Sequence, residues 1–261
     1  MSQIRPPAVA GTFYSNDPCE LRAQVRGYLA AVKVSGKRPK AIIVPHAGYM
    51  YSGPIAASGY ARLQPYAKNI RRVVLLGPSH RGTLQGLAAP NVDFFSTPLG
   101  KIPIDHAALE LLNDLPCVTR CNQAHASEHS LEVQLPFLQV LLGKFTLVPL
   151  VVGESAPYNV AQVLERLWGD DETLIVVSSD LSHYHDYETA QRLDAATSQA
   201  IEELRYRDLN YEGACGRNPV NGLLYVAHWR RLRAQAVDVR NSGDTAGSRE
   251  QVVGYGSYVI Q

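Results

Sequence analysis

The sequence has almost no net charge and few cysteines, and both shortages exclude classes of protein. Its 25 basic and 24 acidic residues leave a formal net charge of +1, so no overall field would attract nucleic acid or an anionic membrane. Four cysteines in 261 residues are too few for a disulfide framework, and we expect thiols in a reducing compartment. Cys117 and Cys121 form a C-x3-C pair, but the sequence has no second pair of this kind, which favours incidental thiols over a structural zinc site.

Long apolar stretches and several catalytic signatures are missing as well. No run approaches the ~18 apolar residues of a membrane span, and the opening MSQIRPPAVAGTFYS is unlike a signal peptide. These features predict a cytoplasmic protein without a membrane partner. The chain lacks G-x-S-x-G, a P-loop and a G-x-G-x-x-G after a strand, which disfavours serine hydrolases and nucleotide enzymes. Its basic cluster at 230–233 follows an apolar helical pattern and is typical of a solvated last helical turn rather than a nucleic-acid patch.

What the sequence does contain is an alternation of short apolar runs and helical patterns. The predicted strands are 41–45, 72–77, 145–152 and 174–179, and the predicted helices are 52–63, 130–142, 158–168 and 187–204. Continuous apolar strands indicate burial on both faces, and the βαβ alternation indicates a largely parallel sheet. Residues 86–104 are typical of a hairpin, and 236–240 and 251–260 of two further strands. We therefore predict a single α/β domain over 1–261, with a mixed, mostly parallel sheet flanked by helices.

Two histidines stand directly after predicted strands. His46 follows the run AIIVP and His80 follows RVVLLGPS. Ligands of open α/β sheets collect at the carboxyl ends of the strands, so both imidazoles are expected in one crevice. A histidine in a Pro/Gly-bounded turn is poorly explained by core packing, which favours a functional role. The pair therefore predicts a site that could hold a metal ion.

Further polar groups follow other elements. Asp180 and His183 come after the strand at 174–179, whereas His185 is equally well explained as exposed. Glu128 and His129 stand at the start of a helical pattern, where a role in the site and a solvated first turn are equally consistent with the spacing. The late loop at 241–245 offers Asp244, which would complete a 2-His-1-carboxylate triad or simply form a turn.

The segments PHAGYMYSGPIAA, LLGPSH, EHSLEVQLPF, SSDLSHY and RPPAVAGTFY together resemble the MEMO family, also called AmmeMemoRadiSam system protein B. The resemblance runs nearly end to end. It implies a fold similar to the LigB-type class III extradiol dioxygenases, with His46 and His80 as metal ligands. It also implies an acid-base role for His183 beside Asp180, and a cleft lined by the block that contains Glu128 and His129.

The eukaryotic members carry a cysteine as the third ligand, and the resemblance aligns Thr245, next to Asp244, with that position. An aspartate would favour a harder metal and iron-type oxygen chemistry, whereas a threonine would leave a weak two-histidine site. The metal expected is Fe(II), with copper, zinc and a metal-free cleft as alternatives.

Three functions remain open at this point. The leading hypothesis is a non-haem iron oxidoreductase, of the ring-cleaving or another oxygen-using type, with a small molecule bound among Tyr49, Tyr51, Tyr184 and Thr245. The second is a scaffold that uses the cleft for a peptide or protein; the resemblance implies signalling roles in eukaryotes and radical-SAM and AMMECR-type partners in bacteria. The third is metal-assisted hydrolysis.

Overall fold

The computed structural model describes residues 2–34 and 36–261. The helices are α1 Pro18–Ala30, α2 Tyr49–Ala61, α3 His106–Glu110, α4 Asn122–Ala126, α5 Leu135–Leu142, α6 Pro157–Leu167, α7 Tyr187–Glu202 and α8 Arg217–Trp229. The strands are β1 Ile4–Arg5, β2 Ala41–Val44, β3 Arg72–Pro78, β4 Leu87–Ala89, β5 Phe94–Thr97, β6 Gly100–Pro103, β7 Val118–Arg120, β8 Thr146–Val152, β9 Thr173–Ser178, β10 His183–His185, β11 Ala234–Asn241 and β12 Val252–Ile260. Short 3-10 helices cover Gln64–Asn69, Glu132–Gln134 and Ser242–Asp244.

A mixed sheet in the order β10-β12-β2-β9-β3-β8-β4-β7 forms the centre of the protein, and β11 pairs with β12. Its middle strands β2, β9, β3 and β8 are parallel, whereas β12 is antiparallel to β2 and β4 is antiparallel to β8. Every residue of β2 and β9 is buried, as their uninterrupted apolar sequences predict for strands covered on both faces. The predicted α/β fold, a mixed sheet flanked by helices, is confirmed.

The strand order determines where the candidate site lies. β9 lies between β2 and β3 and is parallel to both, so the carboxyl ends of the three strands are neighbours. His46, Asp180 and His80 each follow the last residue of one of these strands by two positions. Polar side chains that are distant in sequence are thereby brought to one edge of the sheet.

Two helices begin elsewhere than predicted. α2 begins at Tyr49 after Gly48. Ser52, the first residue of the predicted helix, lies within α2 and donates its hydroxyl proton to the carbonyl of Ala47 at 2.8 Å. The predicted helix over 130–142 is divided into the 3-10 helix Glu132–Gln134 and α5. Residues 128–131 therefore lie outside any helix, between α4 and the 3-10 helix Glu132–Gln134, so Glu128 and Glu132 do not share a helical face.

A smaller sheet of β1, β5 and β6 contains the hairpin predicted for residues 86–104 and pairs it with the N-terminal segment. α1, α2 and α5 pack against one another, and α6 packs along α8, which also contacts β3 and β9. Across residues 2–34 and 36–261, none of the helices combines the length and the apolar character that crossing a membrane requires.

Candidate metal centre and cavity

His46 and His80 face each other at the carboxyl end of the sheet. Their ring centroids are 5.2 Å apart, and the rings meet edge to face. His46 is 1% exposed, whereas the side chain of His80 is 28% exposed. Burial lowers the pKa of His46 far below the ordinary value, and the nearby His80 adds to this effect. His46 is therefore a neutral imidazole, the form that binds metals.

Ser178 fixes the tautomer of His46. The hydroxyl of Ser178 donates its single proton to the carbonyl of Ser130 at 2.6 Å and accepts the Nε2–H of Gln134 at 2.8 Å. His46 Nδ1 lies 2.8 Å from the same oxygen, which can then only accept, so Nδ1 carries the ring proton. The lone pair of Nε2 is left facing the cavity side of the ring.

Glu128 performs the same task for His80. Its Oε1 lies 2.9 Å from His80 Nδ1, and its Oε2 accepts the backbone N–H of His80 at 2.6 Å. Burial alone would raise the pKa of Glu128, but hydrogen bonds from His80 and Ser130 outweigh it and lower the pKa to about 2. In the neutral imidazole, the ionised carboxylate selects the Nδ1–H tautomer, in which Nε2 carries the lone pair, as in the carboxylate–histidine pairs behind many metal ions.

Cys215 completes a set of three ligand atoms. Its Sγ lies 3.4 Å from His46 Nε2, and the ligand atoms of His46, His80 and Cys215 all lie within 4.8 Å of one another. Burial raises the pKa of the Cys215 thiol, and the neighbouring Asp180 carboxylate raises it further. The thiol is therefore protonated in the metal-free protein, and metal binding would release that proton. Two unprotonated imidazole nitrogens and one sulfur fit zinc, copper or iron.

The sequence-predicted third ligand lies elsewhere. Asp244 is exposed; its Oδ1 accepts the hydroxyl proton of Tyr187 at 2.6 Å and its Oδ2 accepts the N–H of Asn241 at 3.0 Å. The second of these bonds belongs to the capping box of the 3-10 helix Ser242–Asp244. Thr245 donates to the carbonyl of Ser242 at 3.2 Å. The cysteine beside His46 is Cys215.

Cys215 was not among the predicted ligands. It stands in a turn immediately before α8, and the adjacent Gly216 packs so closely on Ser179 that a Cβ at Gly216 would lie 2.6 Å from the Cβ of Ser179. That contact joins the Cys215 turn to the segment after β9. A thiol in a glycine-containing turn before an apolar helix is the local signal that the sequence offered.

Three predicted catalytic residues border the ligand set. His129 stacks on His80 with centroids 4.6 Å apart, and its Nδ1 lies 3.4 Å from Glu128 Oε1. Asp180 accepts the backbone N–H of His46 at 2.7 Å, and burial raises the pKa of its carboxyl group. His183, on β10, lines one cavity together with His46, His80, His129 and Asp180.

This cavity, named here the histidine cavity, has a volume of about 720 Å³. Of the predicted substrate-binding residues, Tyr51 and Tyr184 line it, together with Tyr255. Tyr49 does not, because it is 1% exposed and its hydroxyl donates to the carbonyl of Val133 at 2.7 Å. Tyr184 is 71% exposed and has a φ of 59°, a left-handed conformation that is uncommon for residues other than glycine.

Glu132 holds the N-terminal segment against the histidine cavity. This buried carboxylate pairs with Arg5 and accepts the hydroxyl proton of Tyr14 at 2.6 Å and the N–H of Val9 at 2.9 Å. The segment between Arg5 and Tyr14 contributes Phe13 to the cavity wall, where its ring lies 4.9 Å from that of His129. The segment RPPAVAGTFY, one of those that resemble the MEMO family, therefore forms part of the cavity wall.

Known proteins are similar to this chain over nearly its full length. The family model described as "Memo-like protein" matches residues 5–259. A MEMO1 family protein of Aquifex aeolicus is 39% identical over 97% of each chain, and one of Thermotoga neapolitana is 35% identical over 98% of this chain and 99% of the relative. A crystal structure of an uncharacterized Escherichia coli K12 protein is a more distant match, with a TM-score of 0.49 and 16% identity over 84% of this chain and 99% of that one. By the family model and the identities to the Aquifex aeolicus and Thermotoga neapolitana relatives, the chain belongs to the Memo-like family.

Proposed function

We propose that this protein binds one transition-metal ion through His46, His80 and Cys215 and acts as a metal-dependent oxidoreductase on a small molecule in the histidine cavity. The observation that carries the proposal is that both imidazoles have a hydrogen-bond acceptor at Nδ1. Ser178 accepts from His46 and Glu128 accepts from His80, which leaves the Nε2 atom of each ring available to a metal ion. Such outer partners fix the orientation and tautomer of metal-binding histidines. Cys215 Sγ, 3.4 Å from His46 Nε2, supplies the third donor.

The donor set guides the choice of metal. A thiolate is a soft ligand and two imidazoles are intermediate, so iron and copper suit the site, with zinc as the redox-inactive alternative. Three protein ligands leave coordination positions for a substrate, as in catalytic rather than structural sites. When bound, iron or copper supplies electron-transfer chemistry that the side chains alone cannot perform.

The surrounding residues would position substrate and move protons. His183 and His129 lie at the cavity wall, where a neutral imidazole can accept a proton from a substrate hydroxyl and return it. Asp180 holds the backbone of His46 at 2.7 Å and thereby orients the ligand-bearing turn. Tyr51, Tyr184 and Phe13 offer ring surfaces against which a planar organic substrate would pack.

Metal content tests the proposal. Protein loaded anaerobically with Fe(II) or with copper should bind one equivalent, and His46→Ala and Cys215→Ser should each lose it. Cys117→Ser is the matched control, because Cys117 lines a different cavity. Less than a stoichiometric equivalent in the wild type, or full retention by both ligand variants, would refute the metal centre.

The type of chemistry is tested separately on the loaded protein. Oxygen consumption with a panel of catechols and other small phenols should depend on His183, and His183→Gln should abolish it while retaining the metal. Chelator-sensitive ester hydrolysis with zinc and without oxygen uptake would instead support a hydrolase. Metal binding without turnover, together with tight binding of a peptide in the cavity, would support a scaffold.

A further inference from the structure

The three proposed metal ligands border two different cavities. His46 and His80 line the histidine cavity, whereas Cys215 lines a second one, named here the back cavity. Over the described part of the chain, the two cavities have no lining residue in common. Cys215 Sγ nevertheless lies 3.4 Å from His46 Nε2. The ligand set therefore stands between the two cavities, and a metal ion held by it would be open to approach from two sides.

The back cavity is much smaller than the histidine cavity. Its volume is about 160 Å³, and residues of the loop between β3 and β4 line it, among them Ser79, Thr83 and Leu84. The histidine cavity, at about 720 Å³, is within the usual size range of small-molecule sites, whereas the back cavity is below that range. The difference in size suits an organic substrate on one side of the ligand set and a small ion on the other.

The back cavity adjoins a third and larger cavity at the protein surface. This outer cavity has a volume of about 800 Å³, and Gln85, Glu154 and Asn218 line both it and the back cavity. Gln85 and Glu154 are exposed, so the shared wall is in contact with solvent. A solute in the outer cavity can therefore approach Cys215 without entering the histidine cavity.

A small charged cluster marks the boundary between the back cavity and the outer cavity. Glu154 lines both, Tyr211 lines the back cavity and Arg217 lines the outer cavity. Tyr211 donates its hydroxyl proton to Glu154, and Arg217 lies 3.3 Å from the same carboxylate. The guanidinium group of Arg217 also stacks 3.7 Å from the ring centroid of Tyr211. Opposite charges thus flank the passage, and removing either one changes the field that a passing ion meets.

We propose that the back cavity is the route by which a divalent transition-metal ion reaches and leaves the ligand set, separate from the histidine cavity that takes the substrate. This inference rests on the metal centre proposed above. Cys215 is the ligand that lines the back cavity, and sulfur is a strong donor to transition metals, so an ion on this route meets that ligand first. A substrate in the histidine cavity would then leave metal exchange unobstructed.

Tryptophan substitutions at three exposed threonines test the route. Thr83 lines the back cavity, Thr12 lines the histidine cavity, and Thr119 is outside the described lining of all three cavities. Co²⁺ is the probe, because its cobalt–thiolate absorption in stopped-flow measurements reports the bond to Cys215; Cys215→Ser should give no such signal. Thr83→Trp should slow Co²⁺ uptake by the metal-free protein severalfold, because the indole ring fills the small cavity. Thr12→Trp and Thr119→Trp should match the wild type.

The charges at the passage give a second test. Glu154→Gln leaves Arg217 unbalanced and should slow Co²⁺ uptake, whereas Arg217→Gln leaves Glu154 unbalanced and should speed it, each by about threefold at an ionic strength of about 0.15 M. Both effects should shrink as salt is added. Glu188→Gln, the same change at an exposed position on α7, is the matched control and should leave the rate unchanged.

Alkylation of the metal-free protein by N-ethylmaleimide separates the route from the metal centre. Peptide mass mapping follows Cys215, with the exposed Cys19 as the internal standard. Thr83→Trp should slow the modification of Cys215 relative to Cys19, and Thr12→Trp should not. Cobalt binding with wild-type uptake and alkylation rates in Thr83→Trp, or a larger loss of rate in Thr12→Trp, would refute the route alone. Absence of a cobalt–thiolate bond in the wild type would refute the metal centre and the route with it.

Discussion

Replacing Glu128 with glutamine removes one charge behind His80 while keeping the size of the side chain. In the wild type, Oε1 and Oε2 accept the ring Nδ1–H and the backbone N–H of His80, and Oε1 also accepts the N–H of Ser130 at 2.8 Å. Glutamine has a single oxygen, so one of these donors would meet an amide NH₂ group. An NH₂ group at the Oε2 position would face the backbone N–H of His80. An NH₂ group at the Oε1 position would face the N–H of Ser130 and would favour the Nε2–H tautomer of His80, which removes the ligand lone pair. We expect either orientation to weaken the support of His80.

The pKa of Glu128 gives the size of the effect. Burial raises this pKa, but hydrogen bonds from His80 and Ser130 dominate and lower it from 4.5 to about 2. At about 1.4 kcal/mol per pKa unit, the ionised carboxylate contributes about 3 kcal/mol to the free energy of unfolding at neutral pH. Because the folded-state pKa lies below the unfolded value, this contribution is complete above about pH 5 and is lost as the pH falls towards 2.

Urea denaturation of the metal-free protein at pH 7 measures the stability loss, and chelator competition measures the metal affinity. Glu128→Gln should lower the free energy of unfolding by about 3 kcal/mol. Its metal affinity should fall about 10- to 100-fold, the usual effect of removing a carboxylate that supports a metal-binding histidine. Glu188→Gln, the same change at an exposed position on α7, should alter neither quantity. The reasoning fails if Glu128→Gln matches the wild type in both measurements.

Three further predictions concern other carboxylates. Glu132→Gln leaves the buried Arg5 without its ionic partner and should lower the free energy of unfolding by about 3–5 kcal/mol in urea titrations. Burial raises the pKa of Asp194 from 3.8 to about 6, so the ionised group destabilises the fold at higher pH. Asp194→Asn should therefore raise the free energy of unfolding by about 3 kcal/mol at pH 7 in urea titrations. This gain should disappear below about pH 4, where the wild-type group is protonated in both states. Its amide oxygen can still accept the Ser182 N–H, which Asp194 accepts at 3.0 Å. Asp244→Asn should keep the full metal content by elemental analysis and cost about 1 kcal/mol or less; loss of the metal would restore Asp244 as a ligand.

The central strands and the two histidines after them could be predicted because their signals are local. An uninterrupted apolar run such as β2 or β9 is buried in almost any α/β arrangement, and the residue that follows such a strand lies at the ligand-binding edge. His46, His80 and Asp180 therefore needed only the strand assignment. Their convergence also needed β9 to lie between β2 and β3, which no local pattern specifies.

The third ligand could not be predicted in this way. Cys215 reaches the site because Gly216 packs on Ser179, a contact between segments far apart in the sequence. Asp244 has the right chemistry and a suitable loop, but its capping bonds turn it away from the histidines. Similarly, Tyr49 and Tyr51 are two positions apart on α2 and lie on different sides of it, so only one of them faces the histidine cavity.

The position of β9 between the two histidine-bearing strands also has a consequence for folding. β2 and β3 pair with β9 and not with each other, so a nascent chain that has not yet produced residues 173–178 cannot bring His46 and His80 into register. Cys215 arrives later still. A metal ion bound by all three would therefore be acquired by an essentially complete sheet, and by binding only that state it would stabilise the whole fold by mass action, about 2.7 kcal/mol at a hundred times its dissociation constant. Metal retention would then serve as a reporter of the fully assembled sheet.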